Sequence, residues 1–379
     1  MEDCGCEVRL INEIKGRGLI ATKQFKQGDV LFSEKPLVSC QFPWNEAYGY
    51  LACHHCMSPL ENVLQCAARL SNNPAIELAF TELDQPPTIY PCSMCGVKYC
   101  STECQVESYN QYHRTMCLGT TEIVEEHPLN ILVEAWKKFH YPPETCSILL
   151  LVRIVATIQQ SDNSDATLNE FMQFCHRVTN DKDRIVHKLL GQQFEQQIEQ
   201  MRLLFINAIS TEKVDHWCTP EGFRSLFALL GTNCQGIGTN AVTRWYNRVQ
   251  DFLKTNTTIS EEEKDRFETS IDKLYYEDFE NATGSDFLDN EGSGLFKKQS
   301  LINHSCTPNA EVCFLNDNFQ LSIRALKDIE CEEEICISYL PPCQLEDSDR
   351  EERQETLSEN YLFICRCSRC ETENDVMEE

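Results

Sequence analysis

Hydrophobic and polar residues alternate in short runs near the N-terminus, in CEVRLINE from Cys6 and in GDVLFSEKPLV from Gly28. A period of two predicts half-buried strands. Gly16-Arg17-Gly18 and Gln27-Gly28-Asp29 carry turn residues and are expected to join them. From Pro128 to about Leu230 the period changes to three and four, most clearly in DRIVHKLLGQQFEQQIEQMRLLFINAI, and predicts helices. Such stripes are core far more often than cofactor boxes. A further helix is expected from Ser260, as N-cap before an acidic first turn, to Gly284. Strands resume at GSGLF, AEVCFL, FQLSIRAL and EICISYL, with Asn316-Asp317-Asn318 as a hairpin turn. Strands at both ends of a helical block read as an α+β chain.

Composition narrows the class. With 379 residues the chain can hold two or three small domains. CSILLLVRIVATI is too short to span a bilayer and contains Arg153, so it reads as a buried helix. MEDCGCEVRL lacks the basic-then-apolar pattern of a signal peptide. The expectation is therefore the cytoplasm or nucleus with no membrane partner, and no basic import run chooses between them. The net charge of −27 repels nucleic acid and would attract a basic, lysine-containing partner. Solubility alone is the plainer reading of that charge.

The 23 cysteines change the picture most. In a reducing compartment clustered cysteines mean metal or catalysis rather than disulfides. One cluster is Cys53 and Cys56. A second offers Cys92, Cys95, Cys100, Cys104, His113 and Cys117. Together they supply eight soft donors, enough for two closed tetrahedral zinc sites of a structural kind. His54 and His55, inside the first knuckle, read as surface residues. A third cluster, Cys365, Cys367 and Cys370, needs a fourth ligand from elsewhere. The scattered cysteines, such as Cys175 and Cys234, read as small buried hydrophobes.

The cysteine order from Cys53 to Cys117 resembles a MYND zinc finger. KGRGLIAT (Lys15 to Thr22), NHSCTPNA (Asn303 to Ala310), EEICISYL (Glu333 to Leu340) and NYLFICRCSRC (Asn360 to Cys370) occur in the order of a SET domain with its post-SET zinc loop. The whole arrangement resembles the SET and MYND domain family of protein-lysine methyltransferases. Other members carry a further helical repeat domain after the post-SET loop, whereas here only ETENDVMEE follows Cys370, which points to a branch without it. The resemblance implies a β-clip of small twisted sheets. It divides the chain into residues 1–48 (SET N-terminal part), 49–118 (finger), 119–235 (helical insert), 236–345 (SET core), 346–373 (post-SET) and 374–379 (acidic tail). The stretch Met57 to Pro91 lengthens the finger, and ENVLQCAARL within it has a helical pattern.

The resemblance also assigns residues. Zinc one would take Cys53, Cys56, Cys100 and Cys104; zinc two Cys92, Cys95, His113 and Cys117; zinc three Cys306, Cys365, Cys367 and Cys370. Lys15, Gly16, Arg17, Gly18, Ser300, Asn303, His304, Tyr339 and Phe363 would bind S-adenosylmethionine. Tyr339 and Tyr361 would act on the lysine amine. The implied substrate is a histone or ribosomal protein, with a proline-containing peptide at the finger and a monomeric enzyme. A Cys306–His304 nucleophile pair is the competing local reading, and it lacks an orienting third group. A scaffold with little turnover is the competing reading for the whole chain; a metal hydrolase would need an open site of His and carboxylate ligands. Two departures from the family stand out. Cys331-Glu332 replaces the usual Pro-Gly, where a type I turn is expected. GTNCQGIGT lacks an aromatic channel residue, which would widen the channel and permit more highly methylated product.

Overall fold

The computed structural model describes residues 5–85, 87–122, 124–139, 147–174, 194–209, 212–256, 258–283 and 290–377. The strands are β1 (Cys6–Asn12), β2 (Gly16–Ala21), β3 (Val30–Glu34), β4 (Val38–Gln41), β5 (Tyr90–Pro91), β6 (Lys98–Tyr99), β7 (Cys234–Thr239), β8 (Asn290–Leu295), β9 (Asn303–His304), β10 (Ala310–Cys313), β11 (Leu321–Ala325) and β12 (Glu334–Ile337). They form small sheets of order β1-β2-β12-β9, β10-β11-β3, β4-β8-β7 and β5-β6. The first sheet positions the site. Strand β12 pairs antiparallel with β2, Ile335 opposite Leu19, and parallel with β9, Cys336 opposite Asn303. It thus brings the Gly16–Gly18 and Asn303–His304 segments to either side of the strand that leads into Tyr339.

The β1–β2 join differs from the expected one. It lies at Glu13–Lys15, and Gly16-Arg17-Gly18 are already in β2. The Asn12 carboxamide accepts from the backbone N–H groups of Ile14 and Lys15 at 2.9 and 2.8 Å, a local bond that turns the chain before the glycines. The apolar face of β1 is also outward: Val8 and Leu10 are exposed on this edge strand. At the other altered position, Glu333 N–H bonds to Glu330 O, but Glu332 has φ 72°. The turn therefore keeps a left-handed third position, where Gly is the favoured residue, instead of relaxing to type I. Arg9 pairs with the carboxylate that occupies it.

The helical block contains α3 (Pro128–Phe139), α4 (Ile148–Gln160), α5 (Ser164–Phe171), α6 (Phe194–Ala208) and α7 (Pro220–Asn233), after α1 (Val63–Leu70) and α2 (Thr102–Ser108). Trp136 stacks on Phe227 at 5.9 Å, and Trp217, Phe205 and Phe223 complete an apolar core that reaches Val38 and Cys40 of β4 and Leu295 of β8. The predicted helix from Asp183 is present from Phe194; its first part and Cys175 lie outside the described residues. The helix from Ser260 has its capping box with Glu263.

The finger insert has a structural role that its sequence did not disclose. Its helix α1, capped by Asn62 and Gln65, packs on α8 (Ala241–Thr255) and α9 (Glu261–Lys273) around Trp245 and Phe267. Asp84, buried, accepts from Val63 N–H at 2.7 Å and from Arg244 Nε at 2.9 Å. Arg248 adds a contact at 3.1 Å. Two stretches remote in sequence thus share one core and one buried ion cluster. His54 and His55 are not surface residues. His55 is buried against Phe319 and bonded to Glu107, and both imidazoles are held neutral by burial and by nearby Arg153. Among the scattered cysteines Cys40, Cys66 and Cys336 are buried, but Cys331 and Cys343 are exposed.

Candidate functional site

All twelve sulfur and imidazole ligands fall into three groups of four, in the pairing set out from sequence, with donor atoms in each group within 4.8 Å of one another. Local structure explains the placement. Met57, at φ 64°, and Gly96, at φ 75°, close the knuckles: Met57 N–H returns to Cys53 O and Gly96 N–H to Cys92 O. Ser101 caps α2 by accepting from Cys104 N–H, which aims Cys104 at Cys100. Sulfur separations are 3.5 Å for Cys56–Cys100 and Cys100–Cys104, and 3.6 and 3.9 Å from Cys306 to Cys370 and Cys365. His113 Nε2 is 3.5 Å from Cys95 Sγ. A tetrahedron with Zn–S bonds of ~2.3 Å has edges of ~3.8 Å, so each donor set fits zinc in size and softness. Each group is closed, with no position left for a substrate.

Arg153 of α4 was read as a mark of a buried helix. It is also the finger's anchor: its guanidinium donates to Ser39 O and to His54 O, the latter at 3.0 Å, and lies 4.1 Å from the Tyr112 ring. A cation is thereby held against His54, inside the first knuckle.

The cofactor-type residues converge around β2, β9 and β12. A Cβ on Gly18 would lie 2.6 Å from Ile11 Cγ1 and 2.8 Å from Asn303 Nδ2, so only glycine permits this approach. Asn303 Nδ2 donates to Arg17 O at 3.2 Å and to Glu334 Oε1 at 2.9 Å. The other oxygen of Glu334 takes Lys15 Nζ at 2.6 Å. Glu334 was missed from sequence; its position, five residues before Tyr339 on a strand bordering both glycine and asparagine segments, was the available signal. Arg17 and Ser300 do not touch Asn303 through their side chains. They line a cavity of about 250 Å³ with Gln173, Phe174, Lys298 and Leu301. The helical block thus supplies a wall, at Gln173 and Phe174, that no motif announced.

His304 links this region to the third cysteine group. Its Nδ1 accepts from Tyr339 N–H at 3.0 Å, and its Nε2 lies 3.3 Å from Cys306 Sγ. Burial lowers its pKa to about 4, so the ring is neutral with its proton on Nε2. That tautomer donates toward Cys306 and cannot remove a proton from it. The nucleophile-pair reading fails on this ground, and Cys306 is also enclosed among three other sulfurs.

The aromatic residues form a nest over the same point. Tyr339 and Tyr361 ring centroids are 4.8 Å apart, Phe363 meets Tyr339 edge-on at 6.2 Å, and His304 is 6.0 Å from Phe363. Tyr339 Oη donates to Ile302 O at 2.7 Å and Tyr361 Oη to Tyr339 O at 3.3 Å. Each phenol spends its proton on a carbonyl and keeps its oxygen lone pairs. Burial raises the Tyr361 pKa, so it stays neutral. Tyr361 ends α10 (Arg350–Tyr361), and Leu362 at φ 63° turns the chain so that Phe363 follows into the nest. The Gln354 carboxamide of α10 fixes the backbone of Cys365, donating to its O and accepting from its N–H, each at 2.7 Å. The cysteine group and the aromatic nest are therefore held by one helix. A neutral, aromatic cup beside a polar cradle suits transfer of a cationic alkyl group to an amine.

Comparison with known proteins points the same way. The SET domain family matches residues 16–340. The chain is 47% identical over 371 residues to the protein-lysine N-trimethyltransferase SMYD5 of Homo sapiens, covering 97% of this chain and 87% of that protein. It is 46% identical over 371 residues to the enzyme of the same name from Danio rerio, covering 97% and 88%. The histone-lysine N-methyltransferase SMYD3 of Homo sapiens is 24% identical over 362 residues, covering 95% and 60%.

Proposed function

The chain belongs to the SET and MYND family of protein-lysine methyltransferases, and from that premise we propose how its residues carry methyl transfer to a basic protein and how far the methylation runs. When bound in the Asn303 cradle, S-adenosylmethionine would supply a methyl group already activated on a sulfonium. Asn303 has both amide protons committed to Arg17 O and Glu334, which leaves Oδ1 to accept from the cofactor's ammonium. Lys15 offers a cation to its carboxylate. Arg17 belongs with Lys15 at the methionine end, and Ser300, with Arg17 in the wall of the 250 Å³ cavity, adds an upstream contact.

Tyr339 presents its oxygen lone pairs to the lysine N–H groups and so aims the nitrogen lone pair. Tyr361 and Phe363 give the incoming amine an apolar surround that disfavours the ammonium form and lowers the lysine pKa. Their faces also suit a methylated ammonium. The observation that carries this reading is the junction of Asn303, His304 and Tyr339 with the aromatic pair, closed by Cys306. Three structural zinc ions hold the finger and the post-SET loop. The exposed Met94, Val106 and Tyr109 on the finger support a docking role for a proline-containing peptide there. The charge of −27 favours a basic substrate of histone or ribosomal-protein type.

The product we propose is trimethyllysine. Gln235 of β7 lies in GTNCQGIGT, the region where the family usually has an aromatic channel residue, and it accepts from Gln299, next to Ser300, at 3.2 Å. A side chain smaller than an aromatic leaves room for a dimethylamine to rotate into attack geometry. Mass spectrometry of a methylated substrate should show trimethyllysine for the natural chain and mainly mono- and dimethyllysine for Gln235→Phe. Monomethyl product alone from the natural chain would overturn the proposal.

A further inference from the structure

The post-SET cysteine group contains a buried cation that no metal-ligand motif includes. Arg353, in the middle of α10, has a side chain that is 0% exposed. It donates to Ser348 O at 2.7 Å and to Glu373 Oε2 at 2.5 Å; its Nε is buried without a hydrogen-bond partner, and its charge is felt by the sulfurs of Cys306 and Cys370. Four thiolates around one divalent zinc carry two net negative charges. Such a dianion in a dry setting is costly unless a fixed positive charge faces it. Guanidinium is the suitable group, because it stays protonated and forks its donors between several acceptors.

Glu373 balances the rest. It lies on α11 (Ser368–Met377) and also accepts from Arg369 at 2.9 Å. The order of charges is therefore thiolates, Arg353, Glu373, Arg369, alternating outward from the metal position. An arginine kept only to pair with Glu373 would not need a guanidinium this deeply buried, with its Nε left unpartnered, in the neighbourhood of the cysteine group.

We infer that Arg353 is the counter-cation of the post-SET zinc site and sets how firmly that one zinc is held. The inference rests on the proposed third zinc. Through Cys306 it extends to His304 and Tyr339, since the Cys306 sulfur is 3.3 Å from the imidazole.

The test uses the zinc-loaded full chain with a chromogenic chelator, and maps exposed thiols by N-ethylmaleimide and mass spectrometry. The natural chain should release one zinc of about three separately from the finger pair. Arg353→Met should release it about 10–100-fold faster, the usual cost of losing an outer partner of a ligand. Alkylation should then appear at Cys306, Cys365, Cys367 and Cys370 and not in the finger. Arg353→Lys should fall between, and Glu373→Gln should be no faster than the natural chain. Unchanged release from Arg353→Met, or equally fast release from Glu373→Gln, would overturn the inference. If Arg353→Met fails to fold, Arg353→Gln and Arg353→Lys decide: equal rates overturn it. A natural chain holding only two zinc ions would instead overturn the third site itself.

Discussion

At the scale of single residues, the site depends on contacts too specific for a motif to convey. GRGL and NHSC announced the cradle, and the structure brings Gly18 against Asn303 closely enough that a methyl group cannot fit. Gly18→Ala should displace Asn303, lowering methyl-transfer turnover about 100-fold, a penalty expected of misplacement by about 1 Å, while the chain still melts cooperatively. Normal turnover in that variant would mean that the approach is not needed. Glu334 and the His304 tautomer were beyond sequence reading for a shared reason. Each depends on which atom of a side chain faces which neighbour, and that is set by the register of β12 against β2 and β9. The histidines of the first knuckle were misplaced on the surface because a polar pair inside a cysteine loop gives no sign of an arginine from α4 arriving beneath it.

At the scale of elements, periodicity was a good guide where one face packs on one core. The strands of the SET core and the capped helix from Ser260 show it. It misled at β1, where the apolar side faces outward, and α8 was passed over although Ala241, Trp245, Val249 and Leu253 recur at helical spacing. The finger insert shows why. Helix α1 is meaningful only against α8 and α9, more than 170 residues away, and a buried charge beside it, Asp84 on Arg244, fastens the apolar core that they share. Asp84→Ala should therefore leave Arg244 buried without its carboxylate and cost about 3–5 kcal/mol, as breaking a buried pair does. Chemical denaturation would check it. A loss below about 1 kcal/mol, the range of exposed pairs, would show that the insert is not fastened this way.

At the scale of the whole molecule, one chain uses cysteine for two kinds of work. The finger's two donor groups hold an appended module together, and the third ties α10 and its aromatic end over the cradle. The sequence order of motifs made the family and the ligand groups legible at once, because every ligand but Cys306 belongs to a local pair or triplet. The wall at Gln173 and Phe174 and the counter-charge at Arg353 were not legible: the first lies in a turn beyond the end of α5, and the second on a helix whose pattern does not show what its buried arginine faces. The central claim is that Asn303, His304, Tyr339, Tyr361 and Phe363 together form a methyl-transfer site for lysine. It is tested most directly by incubating the purified chain and Tyr339→Phe with labelled S-adenosylmethionine and a basic protein extract, with cofactor binding measured in parallel. Label on lysine from the natural chain, and at least about tenfold less from Tyr339→Phe at equal cofactor binding, is the result predicted from the loss of an orienting hydrogen bond. Cofactor binding without any label transfer by the natural chain would contradict it.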